Sequence, residues 1–109
     1  MEGKVALITG AGSGLGLATA WEFAKAGALV ALADWNLEEV TLAAEKLAAE
    51  GYKTLPIKCD VSDDAQVHDM VKRTVAHFGK LDYAYNNAGV QNLLAEAADQ
   101  TIEDFERVN

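Results

Sequence analysis

The stretch "TGAGSGLG", Thr9–Gly16, follows directly on the apolar run "VALI", Val5–Ile8. A glycine-rich turn between a buried strand and a helix lets backbone come close to a phosphate and aims helix N-terminal amides at its charge. Side chains would block that approach. The nucleoside triphosphate loop is excluded, because no Gly-Lys-Ser/Thr follows Gly10 at the required spacing. The dinucleotide spacing G-x-G-x-x-G also fails: Gly10 and Gly12 are followed at position 15 by Leu15. The pattern that fits is T-G-x-x-x-G-x-G, with Gly10, Gly14 and Gly16 in register.

Outward from this turn, short β-branched runs alternate with longer helical patterns, and glycines or caps mark the joins. "KVALIT" (4–9) reads as a buried strand and 15–26 as a helix packing through Leu15, Ala18, Trp21, Phe23 and Ala24, with Gly27 as its stop. "LVALAD" (29–34) is the second strand. A helix follows from Asn36, which has capping-box spacing to Glu39, and runs to Glu50 before Gly51. "TLPIKCD" (54–60) is the third strand, and Pro56 suits a sheet edge. Ser62 is the expected cap of a helix through Phe78, with Val67, Met70, Val71, Val75 and Phe78 on one face and Gly79 closing it. "LDYAYN" (81–86) is the fourth strand, and Thr101 is placed to cap a last helix carrying Ile102, Phe105 and Val108.

Strands joined by crossover helices lie parallel, with right-handed connections. The expected fold is therefore α/β, a doubly wound Rossmann-type sheet of about four strands in the order 3-2-1-4 by analogy with such folds, helices on both faces. In it the glycine turn opens at the switch point beyond the strand ends, where ligands collect.

Composition sets the class. A chain of 109 residues, half of them hydrophobic, builds one compact core. Its net charge of −8 opposes a nucleic-acid partner, which needs clustered Lys and Arg. One cysteine, Cys59, cannot form an internal disulfide, and no run reaches membrane-spanning length. A cytoplasmic protein with neither nucleic-acid nor membrane partner is expected.

The chain resembles the short-chain dehydrogenases/reductases, in their common rather than extended branch, since Ser13 stands where the extended G-x-x-G-x-x-G pattern needs glycine. Besides the glycine turn, the matching segments are Asp34 at the end of the second strand, "CDV" (59–61) after the third and "NNAG" (86–89) after the fourth. The resemblance implies that Gly10, Gly14 and Gly16 admit a diphosphate, with Ser13 and the Leu15 amide among its donors. Asp34 would receive the adenosine ribose hydroxyls, at the roughly 20-residue offset from the turn. A carboxylate there repels a 2′-phosphate, and positions 13, 35 and 36 are Ser, Trp and Asn rather than Lys or Arg. NAD is thus expected over NADP. The alternative for Asp34 is a solvated strand end.

Trp35 either flanks the adenine or covers the sheet edge. Asp60 and Val61 match the pair beside the adenine; Asp60 could instead cap its loop. Asn87, Ala88 and Gly89 match the segment near the nicotinamide side, while Asn86 ties the central strands together. Asp64 and His68 share a helical face but lack a third metal ligand. His77 complements a helix dipole, and Cys59 is a small packing residue.

The resemblance also implies a catalytic Tyr-x-x-x-Lys, which the sequence lacks: Tyr52, Tyr83 and Tyr85 are followed four residues on by Pro56, Asn87 and Gly89. Residues 1–109 are accordingly expected to be the N-terminal, cofactor-binding part of one domain whose catalytic part lies elsewhere. The implied whole protein is an NAD-dependent oxidoreductase acting on a small alcohol or carbonyl, homo-oligomeric by analogy. A redox-inactive NAD-binding module or split-protein half, and a domain for another nucleotide-containing ligand, are the alternatives.

Overall fold

A computed structural model describes residues 2–87. Ala88, Gly89 and the helix expected from Thr101 lie outside the described residues. Four parallel strands, β1 (Val5–Thr9), β2 (Leu29–Asp34), β3 (Thr54–Lys58) and β4 (Tyr83–Asn86), form one sheet in the order β3-β2-β1-β4. The helices α1 (Gly14–Lys25), α2 (Leu37–Ala49) and α3 (Asp64–Phe78) alternate with them.

Strand alternation divides the core between the two faces of the sheet. Val5 and Leu7 of β1, with Ala31, Ala33 and Ile57, pack against Val67, Met70 and Val71 of α3. Ala6 and Ile8, with Val30 and Leu32, face Ala20 and Ala24 of α1 and Val40, Ala43, Ala44 and Leu47 of α2. All five residues of β1 are buried, as a central parallel strand covered on both faces must be. Each fully buried Val, Leu or Ile here is worth about 1.5–3 kcal/mol relative to exposure.

The edge position of β3 fits Pro56, whose missing N–H is tolerated there. Asn36 caps α2 by accepting the Glu39 amide at 3.1 Å. Gly79 ends α3 in the left-handed region (φ +89°), its amide donating to the Val75 carbonyl at 2.7 Å.

Three details differ from expectation. The cap of α3 is Asp63, which accepts the Gln66 amide; Ser62 instead donates both its amide and its hydroxyl to the Asp60 carboxylate. A carboxylate at a helix N-terminus also gains from the helix dipole. In α1 the buried stripe is Gly16, Ala20 and Ala24, a strict spacing of four, so Leu15 and Ala18 face outward. β3 and β4 are shorter than the apolar runs that announce them. At the entrance to β4, Asp82 takes over the pairing with β1: its amide donates to the Val5 carbonyl and its carboxylate accepts the Val5 amide at 2.8 Å.

Candidate functional site

The C-terminal ends of the strands carry a cleft of about 610 Å³ lined by Gly10, Ser13, Asp34, Trp35, Cys59, Asp60, Val61 and Ser62. A neighbouring depression of about 660 Å³ shares Trp35 and Asp60 and adds Asn36, Leu37, Glu38, Lys58 and Gln66. Residues distant in sequence meet here because every parallel strand ends on the same side.

Three glycines shape the turn. Gly10 (φ +62°) and Gly14 (φ +59°) occupy the left-handed region, where side chains are strained. A Cβ on Gly14 would meet nothing within 4 Å, so the backbone there borders open space. Gly16 serves a different end: its Cβ would stand 1.8 Å from the Gly10 carbonyl oxygen, which makes it the contact that lets α1 start tight against the turn. Ser13 is the N-cap residue of α1 but makes no side-chain cap bond, and both Ser13 and Leu15 are exposed.

Asp34 is fixed on two sides. One carboxylate oxygen accepts the Gly12 amide at 2.9 Å and the other the Asn36 amide at 3.2 Å. A carboxylate offers about four acceptor sites, so about two remain for further donors. Trp35 stands beside it, 71% exposed.

Across the cleft Asp60 is fully exposed, and the Ser62 hydroxyl and then the Ser62 amide hold its carboxyl below the usual range. Behind it Cys59 is buried, its amide bonded to the Asp34 carbonyl at 2.9 Å. Burial, followed by the charges of Asp60, Asp63 and Asp69, pushes its thiol up to about 11. It is a packing residue rather than a nucleophile.

At the end of β4, Asn87 donates its amide to the Thr9 hydroxyl at 3.2 Å and packs against Gly10, whose added Cβ would lie 3.3 Å from the Asn87 Cβ. The Asn87 side-chain Nδ2 is buried with no partner among the described residues. Asn86 ties β4 to β1, accepting the Thr9 hydroxyl at 2.7 Å. Away from the cleft, Asp64 and His68 pair with each other at 3.1 Å, and the described residues hold no group of three or more potential metal-ligating His, Cys, Asp or Glu side chains. The His77 ring lies edge-on to Phe78.

Six of the sequence candidates, Gly10, Ser13, Asp34, Trp35, Asp60 and Val61, therefore line one cleft. Gly14, Leu15 and Asn87 sit outside its lining, and Gly16 packs against backbone. Sequence reasoning missed Gly12, Thr9 and Asp82. Thr9 carried a signal, a polar residue closing an all-apolar strand; the other two act across 22 and 77 residues of sequence, which local spacing does not show.

The arrangement can bind a ligand that brings hydroxyl donors to Asp34 and an anionic group to the turn. No helix among the described residues is long and apolar enough to cross a membrane. The model of the short chain dehydrogenase family matches residues 4–109. The NAD(+) 15-hydroxyprostaglandin dehydrogenase of Bos taurus is 50% identical over 94 residues, 84% of this chain and 35% of that protein, so the chain spans about a third of that relative's length. A crystal structure of NAD+-bound xylitol dehydrogenase superimposes with a TM-score of 0.85 at 30% identity, covering 92% of this chain and 48% of that one. A short chain dehydrogenase from Burkholderia cenocepacia in complex with NADP gives 0.86 at 27%, covering 93% and 51%. A parallel 3-2-1-4 sheet with this glycine turn at its switch point, matched by the family model over all but the first three residues, makes the chain a member of the short-chain dehydrogenase family.

Proposed function

We propose that this chain supplies the cofactor site of an NAD-dependent oxidoreductase that interconverts an alcohol and a carbonyl. The observation that carries the cofactor choice is Asp34: two backbone amides orient its carboxylate, and about two acceptor sites remain, which suits a pair of vicinal ribose hydroxyls. The cleft it borders is lined by two carboxylates and by no Lys or Arg, so a 2′-phosphate within it would meet like charge. Lys58, the register partner of Asp34 on β3, lines the adjoining depression. Relatives named for NAD and for NADP both occur, so the preference rests on this chain's own residues.

In this reading the turn at Gly10, Ser13 and Gly14 receives the diphosphate, with the Leu15 amide at the helix N-terminus among its donors. Gly16 contributes by letting the helix start there. Trp35, Asp60 and Val61 border the adenine, and the buried Nδ2 of Asn87 is a donor available on the nicotinamide side, where Ala88 and Gly89 follow in sequence. The nicotinamide ring supplies the hydride chemistry when bound. The 109 residues hold no Tyr-x-x-x-Lys, so general acid/base catalysis and the substrate pocket are assigned to further chain of the same domain. We place the whole enzyme in the cytoplasm, as a homo-oligomer acting on a small-molecule substrate.

Calorimetric titration with NAD and NADP tests the assignment. The expected result is NAD binding at least about tenfold tighter than NADP, a preference lost in Asp34→Ala. Equal or tighter binding of NADP, or an Asp34→Ala variant that keeps the preference, would overturn it. NAD binding without turnover of any alcohol or carbonyl by the whole protein would instead favour a redox-inactive binding module.

A further inference from the structure

We propose that Lys58, on the strand beside Asp34, sets how far this chain tolerates NADP: its ammonium is placed to reach a 2′-phosphate that the Asp34 carboxylate repels. The proposal rests on the NAD assignment above and extends it. It adds a residue outside the glycine turn and the loop after β2, where positions 13, 35 and 36 carry no cation.

Register and strand alternation place the two side chains together. Asp34 closes β2, Lys58 closes β3, and the two are partners in the parallel ladder. The residues before them, Ala33 and Ile57, point into the core on the α3 side of the sheet. Successive side chains of a strand alternate between faces, so Asp34 and Lys58 both leave the sheet on the side of α1 and α2. Neighbouring strands stand about 4.8 Å apart, a gap that lysine's flexible four-carbon stem spans.

Lys58 is exposed and lines the depression next to the Asp34 cleft, and Trp35 and Asp60 border both. Its ammonium is uncommitted. The ion pairs among the described residues are Lys25–Glu22, His68–Asp64 and Lys80–Asp82, so neither Asp34 nor the Glu38 and Asp60 carboxylates of the depression hold it. A phosphate monoester carries about two negative charges near neutral pH, whereas a ribose hydroxyl carries none. A free cation here therefore attracts one cofactor and leaves the other unaffected. Asp34 works in the opposite direction, and the NAD preference is shallower than Asp34 alone would make it.

The test is calorimetric titration with NAD and NADP at low and high salt, alongside thermal unfolding. The proteins are the wild type, Lys58→Met, Lys58→Arg, Asp34→Ala and the double variant Asp34→Ala with Lys58→Met. Lys58→Met is expected to weaken NADP by about fivefold and to hold NAD within about twofold, so that the preference widens, while Lys58→Arg keeps the wild-type values. In Asp34→Ala the preference turns to NADP, high salt reduces it, and adding Lys58→Met removes it. An NADP affinity that Lys58→Met leaves unchanged in both backgrounds overturns the proposal. So does a parallel loss of both cofactors with a lower unfolding midpoint, the mark of a structural lysine. The NAD assignment is judged on the wild type alone. A wild type that prefers NADP overturns that assignment, while a selective NADP loss in Lys58→Met still upholds the role of Lys58. Binding of neither cofactor overturns both.

Discussion

Thr9 and Asn86 join the central strand to its neighbour at their C-terminal ends: the Thr9 hydroxyl donates to the Asn86 side-chain carbonyl at 2.7 Å. The same hydroxyl accepts the Asn87 amide at 3.2 Å, and Thr9 is wholly buried. One oxygen thus holds the start of the 86–89 segment against the glycine turn. Thr9→Val keeps the shape and removes both bonds, which costs about 1–3 kcal/mol, or a fall of about 5–15 °C in the unfolding midpoint. Thr9→Ser, which keeps the hydroxyl, is expected to recover most of the loss in a circular-dichroism melt. Equal melts for the valine and serine variants would show that the hydroxyl contributes nothing.

Gly14 and Gly16 are glycines for different reasons, and alanine separates them. At Gly14 the added Cβ has open space and meets only the left-handed backbone penalty of about 1–2 kcal/mol. At Gly16 the Cβ would overlap the Gly10 carbonyl oxygen at 1.8 Å, so α1 must move away from the turn. Gly16→Ala is expected to cost about 3 kcal/mol or more, the upper range for overpacking, and to reduce soluble yield. A Gly16→Ala protein as stable as Gly14→Ala in urea denaturation would contradict the contact.

Trp35 is mostly exposed beside the cleft, whereas Trp21 is half-buried with its ring edge-on to Tyr52 at 6.2 Å. NAD is therefore expected to quench the Trp35 fluorescence and leave that of Trp21. Trp35→Ala should weaken NAD by about fivefold or more, the lower end of what stacking one base on an aromatic ring contributes, with the unfolding midpoint unchanged. A lower midpoint with unaltered NAD affinity would assign Trp35 to structure instead.

Cys59 links stability to alkaline pH. Its thiol is raised from about 9.0 to about 11 in the folded protein, mainly by burial. Between those values the unfolded chain has lost the proton and the folded chain has kept it, so stability falls as pH rises. The contribution is fully present below about 9 and lost through about 11, on the order of 2–3 kcal/mol. Urea denaturation at both ends of that window should show the loss in the wild type and a smaller one in Cys59→Ala. Identical losses would exclude Cys59 as the source.

The order of elements, the parallel sheet and the place of the glycine turn were legible in the sequence because each depends on local information. Apolar period separates strands from helices, Asn36 and Gly79 mark helix ends within four residues of what they bond, and crossover handedness then leaves few strand orders. Asp34 was legible too, as an acidic residue closing an apolar strand. The choice of Asp63 over Ser62 as a cap was not, since both suit the position and the Asp60 carboxylate decides by engaging Ser62. Only the tertiary structure brought Gly12 to Asp34, Gly16 to the Gly10 carbonyl, Asp82 to Val5 and Thr9 to Asn86. Most of these contacts join different strands and loops, and even the Gly16 contact depends on how the helix doubles back on its turn. Their geometry follows from register and close packing, which residue spacing along the chain does not encode.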